Sequence, residues 1–233
     1  MRFSVPLKPA RLIKRYKRFL ADVMLDEGGE VTAHCPNPGS MMGLKDPGMR
    51  CWVSVHDNPR RKLKYSLELV EADGVLVAMN THNPNIIAEE AIRAGRIAAL
   101  TGYADLRREV KYGHNSRIDL LLEDPARAPA WVEVKNCHLM RTPGLAEFPD
   151  SVTARGAKHL AELVKRVEAG DRAVQLFIVQ RADCTVLSPA RDLDPRYADG
   201  LHAAAQAGVE IIAYGCQVDL TGVELDRPLE VSL

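Results

Sequence analysis

Two segments rich in branched apolar residues, 116–125 and 130–136, lie on either side of a turn that contains proline. Val, Ile and Trp suit the half-buried surface of a β-sheet, so each segment is predicted to form a strand. Because side chains alternate along a strand, Glu133 and Lys135 point to the same face. If the two strands pair as a hairpin, Asp119 lies near Glu133. The pattern therefore predicts two carboxylates and a lysine at one end of a sheet.

This set of side chains suits the hydrolysis of phosphodiesters with a metal ion. Carboxylates are the hard oxygen ligands that Mg²⁺ and Mn²⁺ prefer, and a lysine can orient water or neutralise charge on a phosphate. An aspartate followed by Glu-x-Lys on the next strand resembles the metal site of the PD-(D/E)XK nuclease superfamily. Glu-x-Lys alone is also common on exposed strands as a solvated ion pair, so the flanking elements must decide between the two interpretations.

Residues 83–233 are predicted to form an α/β domain (α+β for the whole chain) around a mixed central sheet. The order is helix, three strands, helix, strand, helix, strand, which is also the order of the PD-(D/E)XK core. The predicted elements are a helix over 86–100, strands over 106–111, 117–122 and 130–134, a helix from 151 or 153 to 168, a strand over 172–180, a helix over 195–206 and a strand over 209–214.

Residues 1–82 are predicted to form a small β-barrel of the OB type, because five or six short strands alternate with turns rich in Gly, Pro and Asn. The predicted strands cover 10–16, 19–25, 30–34, 50–56, 65–70 and 75–80. Cations alternate with aromatic residues here, which suits a nucleic-acid strand because cations contact its phosphates and rings stack on its bases. The aromatic rings could equally belong to the core. The candidate nucleic-acid contacts are Arg11, Lys14, Arg15, Lys17, Arg18, Arg60, Arg61 and Lys62.

The loop over residues 34–42 contains two prolines and a glycine that restrict its backbone. We expect it to display Asn37 and Ser40. One interpretation is a rigid loop that contacts phosphates or bases, and the other is a purely structural connection.

The helix that opens the second domain is expected to be capped by Asn83 or Asn85. Helical spacing places Glu90 on the same stripe as the apolar residues, whereas Glu89 falls on the polar side. An acid on an inward stripe requires a partner such as a metal ion, a lysine or a capping amide. Glu90 is therefore predicted to join the site and Glu89 to lie at the surface.

Charge and cysteine content restrict the class of protein. The chain has 31 basic residues (Lys and Arg) and 31 acidic residues (Asp and Glu), but residues 1–82 carry four more basic than acidic residues. This excess suggests either an anionic partner or a solvated face of the protein. The five scattered cysteines form no Cys-x-x-Cys motif and predict a reducing cytoplasm, with each cysteine packed in the interior. No apolar segment reaches the length of a membrane span, and the first residues lack the apolar centre of a signal peptide.

The sequence resembles the sugar fermentation stimulation protein A (SfsA) family over both predicted domains. The block Phe-Pro-Asp-Ser-Val-Thr-Ala-Arg-Gly-Ala-Lys-His-Leu at 148–160 is the most specific of the shared segments. The other segments are 36–41, 90–92, 102–103, 109–113, 116–119, 132–136 and 209–214. The resemblance implies an N-terminal OB domain, a C-terminal nuclease-like domain and DNA binding without sequence specificity. It also implies a regulatory link to sugar (maltose) metabolism.

The resemblance implies a mechanism in which Asp119, Glu133 and the Val134 carbonyl hold Mg²⁺ or Mn²⁺. Glu90 would hold a second ion or its water, and Lys135 would position the attacking water. In the helix that follows, Lys158 is predicted to reach the scissile phosphate.

In the same helix Arg155 would contact a neighbouring phosphate, whereas His159 is a weaker candidate. Capping by Thr153 with solvated cations is the alternative for this helix. The alternative for the whole site is that it is a relict in which Lys135 only pairs with a carboxylate. The protein would then be a non-catalytic regulator that binds DNA. RNA as a further partner and the oligomeric state stay open.

Overall fold

The computed structural model describes residues 1–112 and 116–233. Gly113, which ends one of the segments shared with the SfsA family, lies outside them. The strands of the N-terminal part are β1 (Lys8–Tyr16), β2 (Leu20–Leu25), β3 (Glu30–His34), β4 (Arg50–Val55), β5 (Tyr65–Ala72) and β6 (Val75–Ala78).

These strands form a closed barrel around an apolar core, which confirms the predicted OB-type domain. The sheet runs β3-β2-β1-β4-β5-β6, and a parallel pairing of β3 with β5 closes it. The alternation of buried and exposed residues along β1 places Ala10 and Leu12 in the core. The cations of that strand consequently point outward.

The second part of the chain forms a mixed sheet covered on both faces by helices, as predicted. The boundary expected between residues 82 and 83 falls in the turn before its first helix and stays a prediction. The helices are α1 (Asn83–Arg93), α2 (Ala154–Glu168) and α3 (Pro195–Gln206), and a 3-10 turn covers Ala98–Leu100. The strands are β7 (Asp105–Tyr112), β8 (Ser116–Asp124), β9 (Arg127–Cys137), β10 (Leu139–Thr142), β11 (Leu145–Phe148), β12 (Arg172–Val179), β13 (Val186–Pro189), β14 (Glu210–Asp219), β15 (Gly222–Pro228) and β16 (Glu230–Val231).

The main sheet has the strand order β15-β14-β12-β9-β8-β7. β12 lies between β9 and β14, is parallel to both and is buried along almost its whole length, as expected for a central strand covered on two faces. α1 packs with one face of the sheet, and α2 and α3 pack with the other. A smaller sheet, β10-β11-β13-β16, was not anticipated because its strands are only two to four residues long.

The first helix is shorter than predicted and is capped differently. It ends at Arg93 because Gly95 adopts a φ of +70° and the N–H of Arg96 turns back to the Ala91 carbonyl. Its N-cap is His82, which makes no side-chain cap hydrogen bond, so the capping role predicted for Asn83 or Asn85 is wrong.

In α2, by contrast, the Thr153 hydroxyl accepts a hydrogen bond from the N–H of Gly156 at 3.0 Å, as the capping interpretation requires.

The barrel and the mixed sheet share apolar packing. Trp52 and Leu69 of the barrel belong to the same buried cluster as α1 and the central strands. Arg181, which is 1% exposed, donates hydrogen bonds to Asp73 in the barrel and to Asp183. These contacts hold the two domains together through both apolar and ionic groups.

The five cysteines are free and buried, as predicted. Across residues 1–112 and 116–233, no helix is long and apolar enough to cross a membrane.

Candidate functional site

The candidate site lies where β8 and β9 separate. The two strands pair antiparallel as predicted, from Asp124 and Arg127 to Leu120 and Val132, and the pairing then stops. Beyond that point the side chain of Asp119 replaces the partner strand.

Both carboxylate oxygens of Asp119 accept hydrogen bonds. Oδ2 accepts from the N–H of Val134 at 2.7 Å, and Oδ1 accepts from Asn85 Nδ2 at 2.8 Å. Asn85 was expected to cap its helix, but it instead fixes the orientation of this acid from the first turn of α1.

Glu133 is the buried acid of the site, with 2% of its surface exposed. Its Oε1 atom accepts a hydrogen bond from Lys135 Nζ at 2.5 Å and contacts His159 Nδ1. Its Oε2 atom is buried and has no hydrogen-bond partner among the described residues. One oxygen of this carboxylate is therefore held by two nitrogen atoms, and the other is enclosed without a partner among the described residues.

The two acids have opposite pKa shifts. Burial raises the pKa of Asp119 to about 6, and the negative charge of Glu133 adds to this effect. Burial also opposes ionisation of Glu133, but Lys135 and the hydrogen bond from His159 outweigh it and hold its pKa below the ordinary value. At neutral pH both groups are ionised, and Asp119 is the one that titrates nearest to neutrality.

His159 has a larger part in this arrangement than the sequence suggested. Its Nδ1 contacts Glu133, and its Nε2 accepts a hydrogen bond from Arg155 Nε at 3.3 Å. This pairing assigns the ring proton to Nδ1, which donates it to Glu133. A single histidine in the helix that follows the Glu-x-Lys strand is too weak a pattern to have identified this role.

Gln175 is a second residue that the sequence reasoning missed. It pairs with Glu133 across β12 and β9, is fully buried, and donates from Nε2 to the Glu133 carbonyl at 3.0 Å. Its Oε1 atom has no partner among the described residues. An amide between apolar neighbours, in the middle of the strand over 172–179, was the signal available in the sequence.

Glu90 does not face the interior, so its predicted position in the site is wrong. Its side chain is 56% exposed and forms a salt bridge with the amine of Met1 at 2.6 Å. The buried stripe of α1 passes through Ile87, Ala88 and Ala91, which leaves position 90 on its solvent border. Glu89, which was predicted to lie at the surface, is half-buried and pairs with Arg93 and Arg108.

Lys158 and Arg155 lie exposed on the first turns of α2. Arg155 reaches the cluster through His159. The roles of both cations in phosphate contact stay predictions.

The basic residues of the barrel separate into two groups. Lys17 and Arg18 form an exposed turn between β1 and β2, and Arg60 and Lys62 are exposed in the loop after β4. Structural contacts engage Arg18 and the remaining cations: Arg18 donates to the Pro38 carbonyl, Arg11 to the Gly48 carbonyl, Arg15 to the carbonyls of Arg18, Asn37 and Gly39, and Arg61 to Ser66, while Lys14 pairs with Asp22.

The proline-containing loop of the barrel packs against the second domain. The expectation that Asn37 is displayed is wrong, since it is 1% exposed and its Oδ1 accepts from the N–H of Gly39 at 2.9 Å. The hydroxyl of Ser40 is also buried. Asp150, in the segment before α2, accepts from the N–H of Met41 at 3.1 Å and lies where a Cβ atom on Gly39 would stand. The tight turn therefore directs these side chains inward.

Within the described ranges no group of three or more His, Cys, Asp or Glu side chains is arranged to hold an ion. The two carboxylates of Asp119 and Glu133 nevertheless suit Mg²⁺, which binds through one or two carboxylates and keeps several water molecules.

Two family models match the chain in consecutive segments. The sugar fermentation stimulation protein RE domain matches residues 82–222, and the SfsA N-terminal OB domain matches residues 13–79. The chain belongs to the sugar fermentation stimulation protein family.

Relatives within the SfsA family are similar over their whole length. The homolog from Maricaulis maris is 60% identical and covers 100% of this chain and 99% of its own. The homolog from Rhodospirillum centenum is 59% identical and covers 100% of both chains. A solved structure of SfsA from Pyrococcus furiosus in complex with Ca²⁺ has a TM-score of 0.90 and 29% identity, and covers 100% of this chain and 98% of that one.

Proposed function

We propose that this SfsA protein binds DNA and hydrolyses phosphodiester bonds with a divalent metal ion at Asp119 and Glu133. The observation that carries the proposal is the Oε2 atom of Glu133, which is buried without a hydrogen-bond partner beside a second carboxylate. An ionised oxygen enclosed in this way is costly unless a cation accompanies it. The pair of acids therefore favours an ion between them.

Mg²⁺ or Mn²⁺ fits the donors available. The carbonyl of Val134 points to the same side of the strand as its N–H, which is the side of Asp119, and adds a neutral oxygen. The Pyrococcus furiosus relative was solved with Ca²⁺, a cation of the same oxygen-binding class. When bound, the ion would supply a Lewis acid that activates water and balances charge on the phosphate.

The chain's own residues orient the reacting groups. Asn85 holds Asp119 in one orientation, and His159 does the same for Glu133. Lys135, whose side chain is 14% exposed and donates to Glu133, can donate a hydrogen bond to a phosphate oxygen or orient a water molecule. The exposed cations of the barrel supply contacts to the DNA backbone.

The test is cleavage of labelled single- and double-stranded DNA and RNA, with Mg²⁺ or Mn²⁺ compared with EDTA. The wild type is compared with Asp119→Ala and Lys135→Ala, and with Asp199→Ala, an exposed acid distant from the site, as the matched control. Metal-dependent cleavage lost in the first two variants and retained in the third is the expected result. Cleavage that persists in EDTA or in Asp119→Ala would refute the assignment.

One observation favours a second function, that of a DNA-binding regulator without catalysis. Lys135 already forms an ion pair with Glu133 at 2.5 Å, which is the pairing expected of a relict site. This function predicts that all three variants bind DNA and that neither they nor the wild type cleaves any substrate.

A further inference from the structure

A cleft of about 450 Å³ lies between the barrel loop and the segment that leads into α2. Its apolar lining includes Pro38, Phe148 and Pro149, and its polar lining includes Asn37 and His138. Clefts of this size that combine apolar walls with a few polar groups are typical of small-ligand sites. The cleft is separate from the Asp119–Glu133 pair, neither of which lines it.

Two buried side chains in the cleft have hydrogen-bonding atoms without partners among the described residues. These atoms are Nδ2 of Asn37 and Nε2 of His138, whose residues are 1% and 5% exposed. Asp150 Oδ2 is 3.7 Å from His138 Nε2, which is within ion-pair distance but longer than a hydrogen bond, so the carboxylate satisfies this nitrogen only in part. Buried polar atoms are normally paired, so these two indicate a ligand with complementary donors or acceptors.

The chemistry of the lining selects a nucleobase. A base is a flat ring system that packs against proline and aromatic surfaces and offers hydrogen-bonding atoms at its edge. Two arginines, Arg18 and Arg155, also line the cleft and carry exposed positive charge suited to the adjoining phosphates.

The cleft is also connected to the candidate active site. Arg155 hydrogen-bonds to His159, which contacts Glu133. Along the chain, His138 is only three residues beyond Lys135, or about 10 Å of extended backbone. A strand whose phosphate lies at the acids can therefore place a neighbouring base in the cleft.

We propose that this cleft receives one unpaired base of a single-stranded nucleic acid, adjacent to the phosphate held at the Asp119–Glu133 site. The proposal rests on the proposed nucleic-acid binding and adds its substrate class, which is a strand with an unstacked base. A duplex would have to release a base from its stack to fill the same cleft, at a cost in free energy.

The experiment measures how much the bases contribute to binding. Fluorescence anisotropy in EDTA, where no cleavage occurs, compares a short single-stranded DNA with the same backbone carrying abasic sites throughout. The wild type is expected to bind the abasic strand about tenfold more weakly, the size of one well-stacked base. His138→Phe keeps a ring of similar size but removes the polar edge, so this ratio is expected to fall towards one.

Two variants serve as matched controls. Arg191→Ala removes an exposed arginine outside the cleft and should keep the wild-type ratio. Phe19→Ala removes an exposed ring of the barrel and tests whether the bases stack there instead. The proposal would be overturned if the ratio of the two affinities fell to one in Phe19→Ala but stayed at the wild-type value in His138→Phe. A ratio near one in the wild type would also overturn it.

A second measurement does not depend on the folding of a variant. The side-chain NMR signals of His138 in the wild type are expected to shift when deoxyadenosine monophosphate is added, and unchanged signals would contradict the assignment. If the wild type binds neither strand, nucleic-acid binding itself fails. If it binds both strands equally, only the cleft proposal fails.

Discussion

Replacing Asp119 with asparagine is expected to stabilise the metal-free protein at neutral pH while removing its activity. The folded state holds this acid in a buried position beside the charge of Glu133, which raises its pKa to about 6. Asparagine has nearly the same shape and carries no charge, so it avoids the cost of ionisation in this position.

The size and sign of the effect follow from the two pKa values. The folded pKa of about 6 exceeds the ordinary value of 3.8, and each unit corresponds to 1.36 kcal/mol, which gives about 3 kcal/mol in total. Because the folded state binds the proton more tightly, the free energy of unfolding is highest below the unfolded pKa and falls as the pH rises through the folded pKa. The gain from Asp119→Asn should therefore grow between pH 4 and pH 7.

Urea unfolding in EDTA across this pH range measures the difference between variant and wild type. Asparagine also loses one acceptor oxygen, a cost of about 1 kcal/mol that does not depend on pH, so the pH-dependent part of the difference is the test. Asp150→Asn is the matched control, because His138 and the N–H of Met41 outweigh burial and lower the pKa of Asp150 to about 2. Asp150 is therefore ionised in both the folded and the unfolded state above pH 4, and the difference between this variant and the wild type should stay flat from pH 4 to pH 7. A difference for Asp119→Asn that stays flat with pH would refute the reasoning.

Three other changes test separate parts of the structure. His159→Ala should lower cleavage by about 10- to 100-fold, because the buried acid loses its orienting hydrogen bond. The role is supported if His159→Gln loses the same amount of cleavage and if neither variant loses affinity for DNA. Lys17→Ala and Arg18→Ala should each lower the slope of log Kd against log salt by about 1, and an unchanged slope would place the DNA on the other domain. Gly39→Ala should lower the free energy of unfolding by about 1–3 kcal/mol, because its Cβ would lie 2.4 Å from Asp150 Oδ2, and an unaltered urea midpoint would contradict that contact.

The main acids of the site could be predicted from the sequence because strand alternation and the hairpin fix their positions. Glu133 and Lys135 are two residues apart on one strand, so they must share a face, and pairing with β8 brings Asp119 beside them. The helical contributors were harder to predict. Asn85, which contacts Asp119, and Glu90, which pairs with the Met1 amine, are about 140° apart around α1, so the helical pattern alone did not show which of them faces the site.

The elements of the fold were predictable where the pattern was long. β12 and α2 are periodic over many residues and lie within about two residues of their expected positions. The short strands β10, β11, β13 and β16 have too few residues to show a period, and their pairing depends on contacts far apart in the sequence. The inward turn of Asn37 likewise depends on Asp150, which lies more than a hundred residues away.

The apolar packing shared by the barrel and the sheet makes the barrel a support for the strands that carry the candidate site. Trp52 and Leu69 are buried against the same side of the sheet as α1, the helix that orients Asp119 through Asn85. Loss of packing inside the barrel would consequently loosen acids that no barrel residue touches. For this chain, the barrel and the mixed sheet therefore form one mechanical unit, in which a change of packing in one half is transmitted to the other through a shared core.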